Sequence, residues 1–307
     1  MFRKMIKSYL LAAITIFFWG ITFVCTKSLL HDFSALELLL FRFVVAYLGL
    51  FAIYPKREKF IPKDNLYFAL AGLTGVVLYQ YLENIAINFT TASNVSVIVS
   101  ICPMFTAIIA QLFFKEKHIT VKFIIGFVIS ICGIFLVSLN NNTKFSINPK
   151  GDILALLAAI SWGFYSLFIS IINSRHYNLF AATRRIFFFA VLFMIPLVLV
   201  GMRIPQDSAL AGTMAFSFDK TLNGMRFSKL LNILNILFLG LIASGFCFSA
   251  WNKVCNELGT VKTSTGLYMI PIITTFFAFF FLKEPITLMG AAGTLITIAG
   301  LFISSRK

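Results

Sequence analysis

The sequence predicts an all-α membrane protein of ten transmembrane helices arranged as two inverted five-helix repeats, and three observations carry that prediction. Hydrophobic residues make up 59% of the 307 and charged residues only 12%, where soluble domains hold roughly 45–50% and about 25%. Ten apolar segments follow one another with mostly short polar connections, and a hydrocarbon core about 30 Å thick takes roughly 20 helical residues per crossing. Finally, "FFKEKHIT" at 113–120 returns as "FFLKEPIT" at 280–287, so that Lys115 and Lys283 stand 168 positions apart.

Helices, not barrel strands, are expected because runs such as "FFFAVLFMIPLVLV" and "TTFFAFFFL" are apolar on every side, whereas barrel strands alternate. The formal net charge of +15 sits in connections between spans and not along one stripe, which points to orientation in a bilayer and away from nucleic acid.

The first span, 8–27, follows a basic start like that of a signal peptide, but its apolar run is long enough to cross and lacks a clear A-x-A site, so it is read as a retained helix. The second, 34–54, carries Glu37, expected to be solvated near the outer interface, and Arg42 deep inside. An arginine at a helix centre costs about 2.5–3.5 kcal/mol on insertion scales, so Arg42 asks for a partner or a wet cavity. The third, 66–88, contains "YQYLENIAIN", which brings Tyr79, Gln80, Glu83 and Asn84 together, with Gln80, Glu83 and Asn84 at helical spacing. So polar a stretch should line a cavity. Glu83 is the candidate proton- or amine-binding carboxylate, biased by Arg42; the alternative is a structural ion pair.

The fourth span, 92–114, offers Ser93, Ser96 and Ser100 along one face and Pro103 mid-span; the fifth, 123–139, has Gly126 and Gly133 on one face, which reads as packing. A linker, 140–151, leads to the sixth, 152–172, with Trp162 and Tyr165. The seventh, 179–200, holds Arg184 and Arg185 near its cytoplasmic end, where long basic side chains snorkel to headgroups. Residues 201–229 form a long extracytoplasmic loop, read as an insertion in preference to a lid. The eighth span, 230–251, ends at Trp251; the ninth, 260–282, contains Tyr268 and Pro271; the tenth, 287–304, has Gly293 and Gly300. Trp19, Trp162, Tyr165, Trp251 and Tyr268 are candidate aromatic walls, since flat amphipathic rings suit organic solutes and ammonium groups.

The echo runs well beyond Lys-Glu. At the same offset Asn84 answers Asn252, Asn88 answers Asn256 and Pro103 answers Pro271; nearby, Gly126 and Gly133 answer Gly293 and Gly300, Trp19-Gly20 answers Trp162-Gly163, and Arg42 answers Arg185. Five spans per copy make the second copy enter the membrane from the opposite side, and paired prolines in such repeats point to a midplane site. Of the 26 basic residues, Arg42, Arg184 and Arg185 fall inside spans; fifteen of the others collect on one side and eight on the other, which places both termini in the cytoplasm.

The five cysteines lie in apolar segments without CxxC spacing and read as core residues. With no HExxH, GxSxG or P-loop, neither hydrolysis nor ATP is expected to drive anything, and neither a metal nor a cofactor is expected.

The order of Trp19-Gly20, Arg42-Phe43, Asn84 through "SICPMF" to Lys115-Glu116, then Trp162-Gly163, "MIPIITTFFAFFFLKEPIT" and Gly293 to Gly300 resembles the EamA-type ten-helix branch of the drug/metabolite transporter superfamily. That resemblance implies repeats over 1–139 and 152–307, a central cavity in whose lining helices three, four, eight and nine are prominent, and a secondary transporter of the inner membrane. It would move a small organic metabolite, amino acid or drug by alternating access, exporting it in exchange for protons, with facilitative uniport or uptake as the nearest variant and a membrane enzyme as a distant one. Its partners would be the solute, protons and lipid, as a monomer or homodimer.

Overall fold

The computed structural model describes residues 2–56, 58–115, 119–138, 149–205, 207–217 and 225–305, among which every regular element is helical. Glu116, most of the linker and residues 206 and 218–224 of the long loop lie outside the described residues. Ten apolar helices order the chain: α1 Phe2–Leu29, α2 Ala35–Ile53, α3 Pro62–Phe89, α4 Ala92–Phe114, α5 Val121–Ser138, α6 Pro149–Asn173, α7 Leu179–Gly201, α8 Leu230–Leu258, α9 Thr260–Leu282 and α10 Leu288–Ser305. Eight are long and apolar enough to cross a membrane; α5 and α10 are shorter. This is a multi-pass membrane protein.

Helix starts follow local chemistry. Ser34 and Glu37 form a reciprocal capping box on α2, Thr91 caps α4 by accepting from the Asn94 N–H, and Asn178 caps α7 by accepting from Phe180 and Ala181. Four helices depart from the regular α ladder. α3 widens into a π-helical stretch at Gly72–Leu78 and α8 at Phe238–Phe246. α4 is interrupted at Ser100–Ile101, just ahead of Cys102-Pro103, and α9 turns 3₁₀ over Thr265–Met269, just ahead of Ile270-Pro271. Each proline supplies no N–H to the turn before it, which loosens the ladder there. α4 and α9 also end alike: Lys115 (φ 58°) and Lys283 (φ 56°) both take the left-handed conformation that closes a helix. The Lys of the repeated motif is thus a helix stop in both places.

Glycines set the closest approaches. A Cβ on Gly126 would fall 2.4 Å from the Gly300 carbonyl oxygen, and one on Gly300 would fall 2.6 Å from that of Gly126, so α5 and α10 touch backbone to backbone, as small residues permit in membranes. A Cβ on Gly20 would meet Ile273 of α9, and one on Gly163 would meet Phe105 of α4. Each Trp-Gly pair therefore packs its helix against a helix of the other half, at positions 168 apart.

The long loop corrects the expectation for Glu37. Its described parts fold back over the predicted outer ends of α2 and α3: Ser34 Oγ donates to the Ala215 carbonyl at 2.6 Å, Asn88 to that of Gly212 at 3.2 Å, and Phe216 is buried. Arg226 meets both carboxylate oxygens of Glu37, at 2.9 and 3.1 Å, and stacks 4.7 Å over the Phe33 ring. Glu37 is consequently 4% exposed, not solvated. Beside it Lys229 pairs with Asp32 at 2.8 Å, and Asn232 donates to the same carboxylate at 2.7 Å. The Asn232 amide, then the Lys229 ammonium, hold the Asp32 carboxyl below its usual range.

Candidate functional site

The irregular stretches of α3, α4 and α9 converge at the middle of the bundle. Immediately after the π-helical stretch, α3 presents Tyr79, Gln80 and Glu83; the breaks of α4 and α9 supply Ser100, Cys102, Leu267 and Ile270; Trp19 comes from α1, Arg42 from α2, Trp162 from α6 and Phe248 from α8. The wide turn depends on Gly75, where a Cβ would fall 2.1 Å from the Tyr165 ring. Together these side chains enclose a cavity of about 20 Å³, room for about one water molecule.

Arg42 is 2% exposed and hydrogen-bonds to two neutral partners: Nε donates to Ser244 Oγ at 2.7 Å and Nη1 to Gln80 Oε1 at 2.6 Å. Glu83, also 2% exposed, has Tyr79 one turn earlier beside it on the cavity wall. Arg42 and Glu83 share the cavity and interact electrostatically, but among the described residues they form no direct ion pair. A buried carboxylate and a buried guanidinium that face one small cavity without pairing directly can take up a solute or a proton between them. A closed ion pair would first have to be broken.

The walls are aromatic. Trp162 stands 4.8 Å from both Tyr79 and Tyr165, 5.4 Å from Trp19 and 5.9 Å from Phe248, and Trp19 stands 5.0 Å from Trp251. Trp19 Nε1 donates to the Ala243 carbonyl at 2.9 Å. Trp162 Nε1 is buried with no acceptor among the described residues, an orphan donor at the cavity wall.

Of the residues singled out in the sequence, Trp19, Arg42, Tyr79, Gln80, Glu83, Ser100 and Trp162 line this cavity. Tyr165 and Trp251 form the layer behind, Tyr165 donating to Asn252 Oδ1 at 3.0 Å. Asn84 lies off the cavity, donating to the Ala35 carbonyl at 3.3 Å. Tyr268 points away and packs its ring 6.2 Å from Phe302. Pro103 and Pro271 each follow a lining residue directly. Arg185, the sequence counterpart of Arg42, sits elsewhere, bonded to Asn65 and stacked on Phe60, Phe188 and Phe189; Arg184 bonds the Tyr54 and Lys56 carbonyls. Both tie α7 to the chain after α2. Sequence reasoning missed Thr22, Phe23, Val99, Cys102, Phe248, Leu267 and Ile270, and one Phe among 37 carries no signal of its own.

Two further clefts lie along α4 and α9 on either side of the cavity. One, of about 350 Å³, is lined by Thr91 to Val97 of α4 together with Ile272 to Phe276, Glu284 and the start of α10. The other, of about 250 Å³, is lined by Thr106 to Phe114 of α4 together with Gly259 to Lys262 and part of α6. The same two helices wall all three spaces.

The family model described as EamA-like transporter family matches residues 6–139 and 149–306. An uncharacterized transporter of Archaeoglobus fulgidus is 24% identical over 98% of this chain and 98% of its own length, and the uncharacterized transporter YoaV of Bacillus subtilis is 26% identical over 94% and 92%. A probable terminal-alkyne amino-acid exporter of Streptantibioticus cattleyicolor is 23% identical over 99% and 95%. A solved crystal structure matches with a TM-score of 0.65 over 97% of this chain and 96% of that one at 12% identity, a likeness of fold alone.

Proposed function

This chain belongs to the EamA-like transporter family, and from that premise we propose that it exports a small organic metabolite, amino acid or drug across the inner membrane by alternating access, in exchange for protons. Its kinship is with transporters and not enzymes. The observation that carries the reading is the central cavity lined by Glu83, Arg42 and Trp162, whose Nε1 has no acceptor among the described residues, inside an aromatic cage. Glu83 carries the proton or a substrate amine, Arg42 sets its charge balance, and Trp19, Tyr79, Gln80 and Trp162 contact the solute, with Tyr165 and Trp251 backing them. Asn84 and Tyr268 join the site only in another conformation of the bundle.

In this reading all ten helices cross, in two inverted repeats over 1–139 and 152–307, with the linker 140–151 and the loop 201–229 outside and both termini in the cytoplasm. The repeat is supported by geometry that recurs 168 positions apart: π-helical stretches ending at Leu78 and Phe246, breaks ahead of Pro103 and Pro271, and left-handed Lys115 and Lys283. Alternating access is supported by the two clefts that flank a nearly filled cavity along one pair of helices. The conformation is closed at its centre, and opening either cleft to the cavity would admit solute from one side only.

The test is in two steps. Thermal stabilisation of the detergent-purified protein by a panel of amino acids, nucleosides and cationic drugs identifies a solute, whose flux is then measured in vesicles with and without an imposed pH gradient. A gradient-dependent flux is expected. Equal fluxes would make the protein a uniporter, and no saturable flux would remove the transport assignment.

A further inference from the structure

The second copy of the Lys-Glu motif does more than stop a helix. Glu284, in the turn between α9 and α10, reaches across to the first turn of α4. Its Oε1 accepts the Ala92 N–H at 2.8 Å, and its Oε2 accepts the Ser93 N–H at 3.1 Å and the Ser93 hydroxyl at 2.6 Å. The first N–H groups of a helix have no partner within it and carry partial positive charge, so a carboxylate there makes charge-assisted hydrogen bonds, among the stronger contacts available to a side chain. Beside this contact Lys27 of α1 donates to the carbonyls that end α3, those of Ile87 and Thr90 (2.9 Å to Thr90), and lies within electrostatic reach of Glu284.

Glu284 and Ser93 also both line the 350 Å³ cleft between α4 and the α9–α10 turn, and their contact closes it at one edge. The same helices, further along, line the midplane cavity through Ser100, Cys102, Leu267 and Ile270. Moving the α9–α10 turn away from α4 therefore breaks the Glu284 contacts and widens the cleft toward the cavity.

We propose that Glu284 is the outer clamp of the transport cycle: its three hydrogen bonds to the start of α4 hold the predicted outer seam shut, and they are released whenever the midplane site faces outward. This rests on the transport reading above. It assigns a positioning role to a residue that touches neither the cavity nor the solute.

Cys102, 1% exposed and on the cavity wall, is a built-in reporter. Right-side-out and inverted membrane vesicles containing the full chain are treated with a membrane-impermeant maleimide, and Cys102 modification is read by peptide mass spectrometry, with no solute present. Glu284→Ala is expected to speed Cys102 labelling from the outside about tenfold, which corresponds to about 1.4 kcal/mol, and to leave labelling from the inside unchanged. Ser93→Ala, which deletes one of the three donors and keeps both backbone contacts, is expected to produce a smaller increase with the same sidedness, and it serves if Glu284→Ala does not insert. Unchanged labelling, or labelling that rises equally from both sides as general loosening would produce, overturns the clamp. Because no flux is measured, failure here leaves the solute assay standing, and failure of that assay leaves this one readable.

Discussion

Glu83→Gln is expected to lower pH-gradient-driven flux roughly 10- to 100-fold while the protein still inserts and folds. Glutamine keeps the size of the side chain, so packing around a residue that is 2% exposed is preserved. What it removes is the capacity to gain and lose a proton. Hydrogen bonds to a charged group are worth about 1.5–3 kcal/mol, and about 1.4 kcal/mol is tenfold, which sets the range. The alternative, a scaffold ion pair with Arg42, is disfavoured because Arg42 directs two of its donors to Ser244 and Gln80 and forms no direct ion pair with Glu83 among the described residues. The measurement is flux in vesicles with matched protein content. A flux equal to that of the unaltered protein would return Glu83 to a structural role.

Arg226→Ala is expected to cost about 3–5 kcal/mol, because it leaves the Glu37 carboxylate buried without its charged partner. Both side chains are nearly inaccessible, at 7% and 5%, and the contact is bidentate. The neighbouring Lys229–Asp32 pair shows the opposite case: with 59% and 23% exposure it should contribute no more than about 1 kcal/mol. Melting followed in detergent should therefore fall by roughly 10 °C for Arg226→Ala and by far less for Lys229→Ala. Replacing Glu37 and Arg226 together with Leu and Met should recover most of the loss, as apolar substitutes for buried pairs do. Asp32 has a depressed folded value, so its stabilisation is present above the unfolded value near 3.8 and disappears as pH drops through the lower folded one. A loss for Arg226→Ala no larger than that for Lys229→Ala would mean that the loop rests on the bundle without being fastened to it.

The membrane class and the helix positions were legible because lipid leaves the backbone no other way to satisfy itself, so apolar length alone marks a helix. The polar wall of α3 was legible for a related reason: four polar groups within six residues cannot all face lipid. Which aromatic rings reach the cavity was not. Trp162 and Tyr268 looked alike in sequence, yet one lines the site and the other packs on Phe302, because 3₁₀ turns over Thr265–Met269 and π turns in α3 and α8 shift the phase of everything after them, and no residue pattern announces a turn of altered pitch. Glu37 was misjudged for a different reason. Its partner lies 189 positions away, in a loop whose composition says nothing of where it docks. The repeated Lys-Glu was visible at once; that Lys115 and Lys283 each end a helix, and that Glu284 caps the start of α4, became readable only from the packing of the α9–α10 turn against α4.

The relation between the two halves is the claim on which the transport cycle depends, and sidedness tests it most directly. Reporter fusions active on one face only, placed at the N-terminus, at Lys150 and after the last residue, should locate both termini in the cytoplasm and Lys150 outside. An N-terminus and Lys150 on the same face would mean that the halves are not inverted, and a midplane site shared by mirror-placed helices could not then be offered to each side in turn.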